Sequence, residues 1–153
     1  MTVEARLAEL GLTVPGVVPP VAAYVPAVRS GNQVFTAGQL PMRDGALLAT
    51  GKVGDGVPAE QATECARQCA LNAIAAVKSV VGDLEKVVRV VKVVVFVAST
   101  PDFTGQPAVA NGASELLAAA FGDAGVHARS AVGVPVLPLD APVEVEILVE
   151  IAG

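Results

Sequence analysis

VVRVVKVVVFVA, residues 87–98, is the stretch whose reading decides the fold. Its density of β-branched residues favours a pleated strand. In an extended chain alternate residues share a face, which puts Val91, Val93, Val95 and Val97 on one side and Val90, Val94 and Phe96 on the other. Both faces are apolar beyond the charged start, so both need cover. The flanking sequence offers two helices, enough for one face of a sheet. The other face must meet a second sheet, and in a chain of 153 residues another copy of the same chain supplies it most directly. An obligate homo-oligomer with inward-facing sheets is the expectation.

Upstream of that strand, GDGVPAEQATECARQCALNAIAAVKSVVGD reads as the strongest helix, with Pro58 in the first turn, Glu60 near the positive end of the dipole and Gly82 as the stop. Ala62, Ala66, Cys69, Ala73, Ala76, Val77 and Val80 recur at helical spacing and form an apolar stripe. Downstream, Ala108–Phe121 reads as a second helix closed by Gly122 and Gly125, with Asn111-Gly112 oddly polar and flexible near its start; Asn111 either caps the true helix or faces a pocket.

Two more strands finish the chain, residues 128–136 and 143–151, and a hairpin precedes the first helix in AAYVPAVRSGNQVFTAGQLP, turning at Ser30-Gly31-Asn32 with Tyr24 in its first strand. A short strand over Leu47 and Leu48 is plausible between Asp44-Gly45 and Gly51. Residues 1–20 read as an N-terminal extension, a short amphipathic helix with Leu7 and Leu10 on one side followed by a Pro-rich loop. The whole, residues 1–153, is one α+β domain.

Composition narrows the function. Net charge is −5 with ten scattered Lys and Arg, and only four Phe and one Tyr are available for stacking, so no basic footprint for nucleic acid exists. Hydrophobic residues make up 53% and mean hydropathy is +0.61, yet charge, Gly or Pro interrupts every apolar run before it could span a bilayer. The charged N-terminus lacks the apolar core of a signal peptide, which points to a cytoplasmic protein without a membrane partner. Cys65 and Cys69 stand one turn apart without His127 or a carboxylate cluster near them in sequence, so they read as helix packing residues, not metal ligands.

HARSAVGVPVLP, residues 127–138, places an arginine at the head of a strand rich in small and β-branched residues. If Val132, Val134 and Val136 face the helices together with Val143, Val145, Ile147, Val149 and Ile151, then Arg129, Ala131 and Gly133 share the other side with Glu144, Glu146 and Glu150. An arginine and carboxylates would then line a cleft between subunits. On the same reading His127 points away from Arg129 and serves as a structural or surface residue.

These residues carry a resemblance. Gly38-Gln39 after QVFTAGQLP, the valine strand ending in VFVA, and HARSAVGVPVLP followed by PVEVEILVEIA resemble the YjgF/RidA family, also labelled endoribonuclease L-PSP, over about Tyr24 to Ala152. The stretch before Asn111 and NGASELL mark a divergent branch. The resemblance implies a chorismate-mutase-like fold, a mixed sheet with two helices on one face, and a homotrimer with three clefts between subunits. It also implies an enamine/imine deaminase that hydrolyses small 2-imino acids such as 2-aminoacrylate to 2-keto acids and ammonia, with no cofactor and no metal.

Matched residue by residue, the resemblance makes Arg129 the clamp on the substrate carboxylate, a task that suits a planar two-donor guanidinium. It makes Glu144 the carboxylate that positions or activates water, Tyr24 a wall of the cleft, and Asn111 a polar residue at its rim. Backbone groups near Gly38 and Ala131 supply further contacts. Two departures stand out: Ala37 replaces a serine and Ala131 a cysteine, so two polar contacts are lost. The residues also allow plainer roles: an ion pair of Arg129 with Glu144 or Glu146, a strand face that tolerates carboxylates generally, with Glu146 as able as Glu144, and Tyr24 as an interface aromatic. Two functions of different class follow, the deaminase and a non-catalytic homotrimer that binds a small carboxylate metabolite in the same cleft. Ribonuclease activity ranks third, since the chain is acidic and lacks a nucleophile or histidine pair.

Overall fold

The computed structural model describes residues 1–153. One five-stranded mixed sheet organises it, in the spatial order β1 (Ala27–Ser30), β2 (Gln33–Thr36), β9 (Val143–Ile151), β7 (Val87–Ala98) and β8 (Ala128–Val134). The long valine strand β7 sits inside the sheet, antiparallel to β9 and parallel to β8. That parallel pairing requires a crossover, and α3 (Gln106–Phe121) supplies it. With α2 (Ala59–Val81), α3 covers one sheet face. This is the α+β architecture expected from the sequence.

α2 begins directly after Pro58, whose φ of −65° leads into the helix, and ends at Gly82, whose φ of +79° an L side chain rarely adopts. Its expected stripe is buried from Ala62 through Val77, but Val80, in the last turn, is exposed. The shared core of helices and sheet includes Val93, Val95, Val97, Val143, Val145 and Val149, none with any exposure. Each such buried valine contributes about 1.5–3 kcal/mol.

α3 starts at Gln106, after Gly105 in the cap position, and not at Asn111, so Asn111 is no cap. Gly112 explains the odd dipeptide: it lies against the backbone carbonyl of Thr63 in α2, where any Cβ would collide. Glycine here permits the two helices to touch. α1 (Val3–Glu9), capped by Thr2, buries Val3 and Leu7 in the same core, while Leu10 ends the helix exposed.

Two strands depart from simple alternation. In β7 a register shift between Val90 and Lys92 breaks the period, so Val90 is buried with Val93 and Val91 is only half-buried. In β8 the expected orientation is inverted. Arg129, Ala131 and Gly133 stand opposite Val93, Val95 and Val97, on the helix face, whereas Val132 stands opposite Phe96 on the open face and is exposed. The physical reason is space: a Cβ on Gly133 would run into the side chains of Gln106 and Ser99, so small residues belong beneath α3.

Tyr24 precedes β1 in a bend and is not in a strand. The hairpin β3 (Met42–Arg43) to β4 (Ala46–Leu47) turns through Asp44 and Gly45, both at positive φ as a type I′ turn demands, and ends at Leu47 where the sequence suggested a strand. A small parallel pair, β5 (Lys52–Val53) with β6 (Gly56–Val57), has no counterpart in the sequence reading. No helix is long and apolar enough to cross a membrane.

Candidate functional site

After Thr36 the chain bulges away from β9 through Ala37 and Gly38 and returns at Gln39, whose backbone exchanges both hydrogen bonds with Val145, at 2.7 and 3.0 Å. The Thr36 hydroxyl fills the gap by accepting the Ile147 N–H at 3.0 Å. Glu144, beside Val145, turns to the open face, and its carboxylate lies on the Cα of Gly38, where a side chain would collide with it. Burial first, then the charge of Glu146, raise the Glu144 carboxyl above its ordinary value. A carboxyl raised in this way holds its proton more readily than an ordinary glutamate, the direction acid–base work favours.

Glu144 and Gly38 line a cavity of about 460 Å³ together with Tyr24, Gln39, Gln68 and Asn72. The Tyr24 hydroxyl accepts the Val21 N–H at 3.4 Å. Glu146 is not in this lining, so of the two carboxylates left open by the sequence, Glu144 is the one at the cavity.

Arg129 belongs to a different place. From the edge strand β8 its guanidinium reaches α3 and donates to Asn111 Oδ1 at 2.8 Å, Ser114 Oγ at 3.2 Å and the Pro107 carbonyl at 3.3 Å. The Ser114 hydroxyl also meets His127 Nε2 at 2.9 Å, and His127 Nδ1 lies 2.6 Å from the Gly125 carbonyl. A carbonyl only accepts, so Nδ1 carries the proton, Nε2 accepts from Ser114, and Ser114 accepts from Arg129. The relay fixes the guanidinium without any counter-charge.

Three sequence expectations change here. Arg129 and Glu144 do not share a face: Arg129 pairs across from buried Val93, and Glu144 across from Phe96 on the opposite side. The expected ion pair is absent, since the two salt bridges of the chain join Lys52 to Asp140 and Lys78 to Glu4. His127 points with Arg129, not against it, because residues two apart on an extended chain lie on one side. That parity was a signal for His127, and Ser114, one turn beyond Asn111, was legible by helical spacing.

The predicted site residues therefore fall into two groups within one chain. Tyr24, Gly38 and Glu144 border the cavity; Arg129, Asn111 and Ala131 lie together at the β8 edge under α3. Gln68 and Asn72, not singled out from the sequence, were marked by being polar at i and i+4 amid an apolar helix face. Cys65 and Cys69 are buried; burial pushes the Cys65 thiol up to about 11 and raises Cys69 well above its ordinary value, so both stay protonated packing residues.

The geometry has relatives. Protein TCP17 of Trypanosoma cruzi is 45% identical over 150 residues, covering 97% of this chain and 94% of that protein. The crystal structure of Atu1372 from Agrobacterium tumefaciens, a protein of unknown function, is 47% identical, with a TM-score of 0.92 over 98% of this chain and 92% of the other. Escherichia coli TdcF, solved with bound serine, is 26% identical, with a TM-score of 0.59 over 91% and 94% of the two chains. The family model described as endoribonuclease L-PSP matches residues 16–151. The chain belongs to the endoribonuclease L-PSP family, the YjgF-type proteins.

Proposed function

We propose that the protein is an enamine/imine deaminase for small 2-imino acids, working in clefts formed between copies of the chain in a homotrimer. The observation that carries the reading is Arg129: a guanidinium held rigid by three neutral oxygens and paired with no carboxylate of its own chain. A fixed, unpaired cation of this kind receives an anion through a two-donor fork. The serine bound to TdcF, itself a small carboxylate, fits the same chemistry.

The two groups of site residues suit this reading when they come from neighbouring subunits. Arg129 and Asn111 of one copy hold the substrate carboxylate, with backbone groups near Ala131. Glu144 of the next, seated on Gly38 with Tyr24 nearby, directs water to the imine carbon. The water oxygen adds to that carbon, its protons pass to nitrogen by way of Glu144, and the C–N bond breaks to give the 2-keto acid and ammonia. No redox partner is needed. The exposed Val28, Phe35 and Val132 on the open sheet face support assembly, as unpaired apolar surface does. Ribonuclease action fits poorly with a net charge of −5.

Arg129→Ala is expected to abolish accelerated keto-acid release when 2-aminoacrylate is generated in situ; undiminished acceleration would overturn the reading. Ala37 and Ala131, which remove two polar contacts, favour one alternative: a trimer that binds the carboxylate and does not turn it over. Arg129-dependent binding in a titration, with no turnover by wild type, would establish that alternative.

A further inference from the structure

The cavity beside Glu144 is far larger than a three-carbon substrate requires. At about 460 Å³ it falls within the roughly 300–1,000 Å³ range of pockets that enclose drug-sized ligands. Its walls are apolar along the Pro-rich N-terminal segment, Pro15 to Val21, and at Leu40, Met42 and Pro138. Of its other polar residues, Arg43 and Asp44 are solvent-exposed, while Gln39, Gln68 and Asn72 are buried amides.

Asn72 is completely buried in α2 and donates Nδ2 to two backbone carbonyls, Leu40 at 3.0 Å and Met42 at 2.9 Å. Two carbonyl partners require the amide nitrogen there, so Asn72 Oδ1 faces Gln68 and accepts from Gln68 Nε2 at 3.1 Å. The Gln68 orientation follows: its Oε1 takes no hydrogen bond within the chain. No buried side-chain oxygen lacks a partner, so this atom is solvent-accessible, on a residue that lines the cavity and is otherwise 8% exposed. Gln39 repeats the arrangement, with Nε2 donating to the Ala37 carbonyl at 3.2 Å and Oε1 uncommitted. Two side-chain acceptors thus remain to be matched on the buried walls of the cavity.

Resting on the deaminase reading, we infer that the preferred substrates are 2-imino acids with a long side chain that ends in an N–H donor such as a primary amide. The side chain occupies the cavity under the Pro15–Val21 segment and donates to Gln68 Oε1 and Gln39 Oε1. The carboxylate stays with Arg129 and the imine carbon with Glu144. A site with unpaired acceptors selects strongly against an isostere that cannot donate, because the acceptors would be left without partners.

Calorimetric titration with stable 2-oxo acids tests this independently of turnover. The probes are pyruvate, 4-methyl-2-oxopentanoate and the amide-tipped 2-oxo acid corresponding to homoglutamine. Binding should tighten along that series, with the amide-tipped acid at least about tenfold tighter than pyruvate. Gln68→Met should bring the amide-tipped and branched acids to parity, and Val18→Trp, on the loop wall and outside the core, should lower the ratio of long to short affinity. Equal affinity for all three acids, or a preference for pyruvate, overturns the inference. Turnover of the corresponding imines, measured in parallel, reports separately on the deaminase reading: long-acid preference without turnover would leave the cavity assignment standing and remove the reaction.

Discussion

Mixing two inactive variants should restore activity. In one chain Arg129 and Glu144 occupy opposite faces of the sheet, so the proposed deaminase requires each cleft to take its arginine from one subunit and its glutamate from another. Arg129→Ala removes two charge-assisted hydrogen bonds to the substrate carboxylate, at about 1.5–3 kcal/mol each, or on the order of 10²–10⁴ in kcat/KM. Glu144→Gln removes the group that handles water. When equal amounts are unfolded together and refolded, a cleft is intact only if its glutamate comes from the Arg129→Ala chain and its arginine from the Glu144→Gln chain. Each condition holds for half of the subunits, so about one quarter of clefts recover in a closed ring of identical interfaces. Keto-acid release from 2-aminoacrylate generated in situ is the assay. Equal mixing of wild type with the double variant adds a control: about one quarter of the clefts stay active if they span subunits, and about one half if each chain holds its own. No recovery, with subunit exchange verified by mass spectrometry of differently tagged chains, would refute the division of the site.

Other outcomes follow from the same geometry. Gly112→Ala sets a methyl against the Thr63 backbone carbonyl, which cannot rotate away; α2 and α3 must part, and the cost of about 1–3 kcal/mol should lower Tm by on the order of 2–12 °C in calorimetry. The raised Glu144 carboxyl makes the folded chain bind its proton more tightly than the unfolded chain does, so the stability it contributes is complete below the ordinary glutamate value near pH 4.3 and is lost as pH rises through the higher folded value. Thermal melts from about pH 4 to pH 7 should therefore show Glu144→Gln gaining on wild type as pH rises; a constant difference would contradict the raised value. His127→Ala takes away the acceptor of the Ser114 hydroxyl and loosens the grip on Arg129, and since the proposed role of Arg129 is to bind and not to react, KM should rise by about 2- to 10-fold with kcat nearly unchanged.

The strand at 143–151 was legible to the residue, because five apolar positions alternate with three glutamates and Leu148 along a single packed face. α2 was legible for a similar reason, its stripe bounded by Pro58 and Gly82. β8 was not. Its valines suggested the helix side, but a parallel edge strand fed by a crossover helix lies close to that helix, and there the fit of Ala131 and Gly133 outweighs the hydrophobicity of Val132. A strand with apolar residues on both faces gives parity nothing to hold to. The site inherited that ambiguity: the residues matched by family resemblance fall into two groups in one chain, and the face on which each stands was set by packing.

The separation of Arg129 from Glu144 also explains their electrostatic states. A guanidinium beside Glu144 within the chain would hold its carboxyl down, because an opposite charge favours the ionised form. Instead burial and Glu146 push it up, and Arg129 is satisfied by Asn111, Ser114 and Pro107. A strong internal ion pair would spend both groups on each other before any ligand arrived. Placed on opposite faces, the cation keeps donors free for the carboxylate of the proposed substrate and the acid keeps a raised proton affinity. In the proposed trimer, where a second copy presents its Arg129 to this cleft, the substrate carboxylate would lie between the two charges and screen them. Substrate binding would then leave the Glu144 proton affinity high, where direct pairing with arginine would lower it.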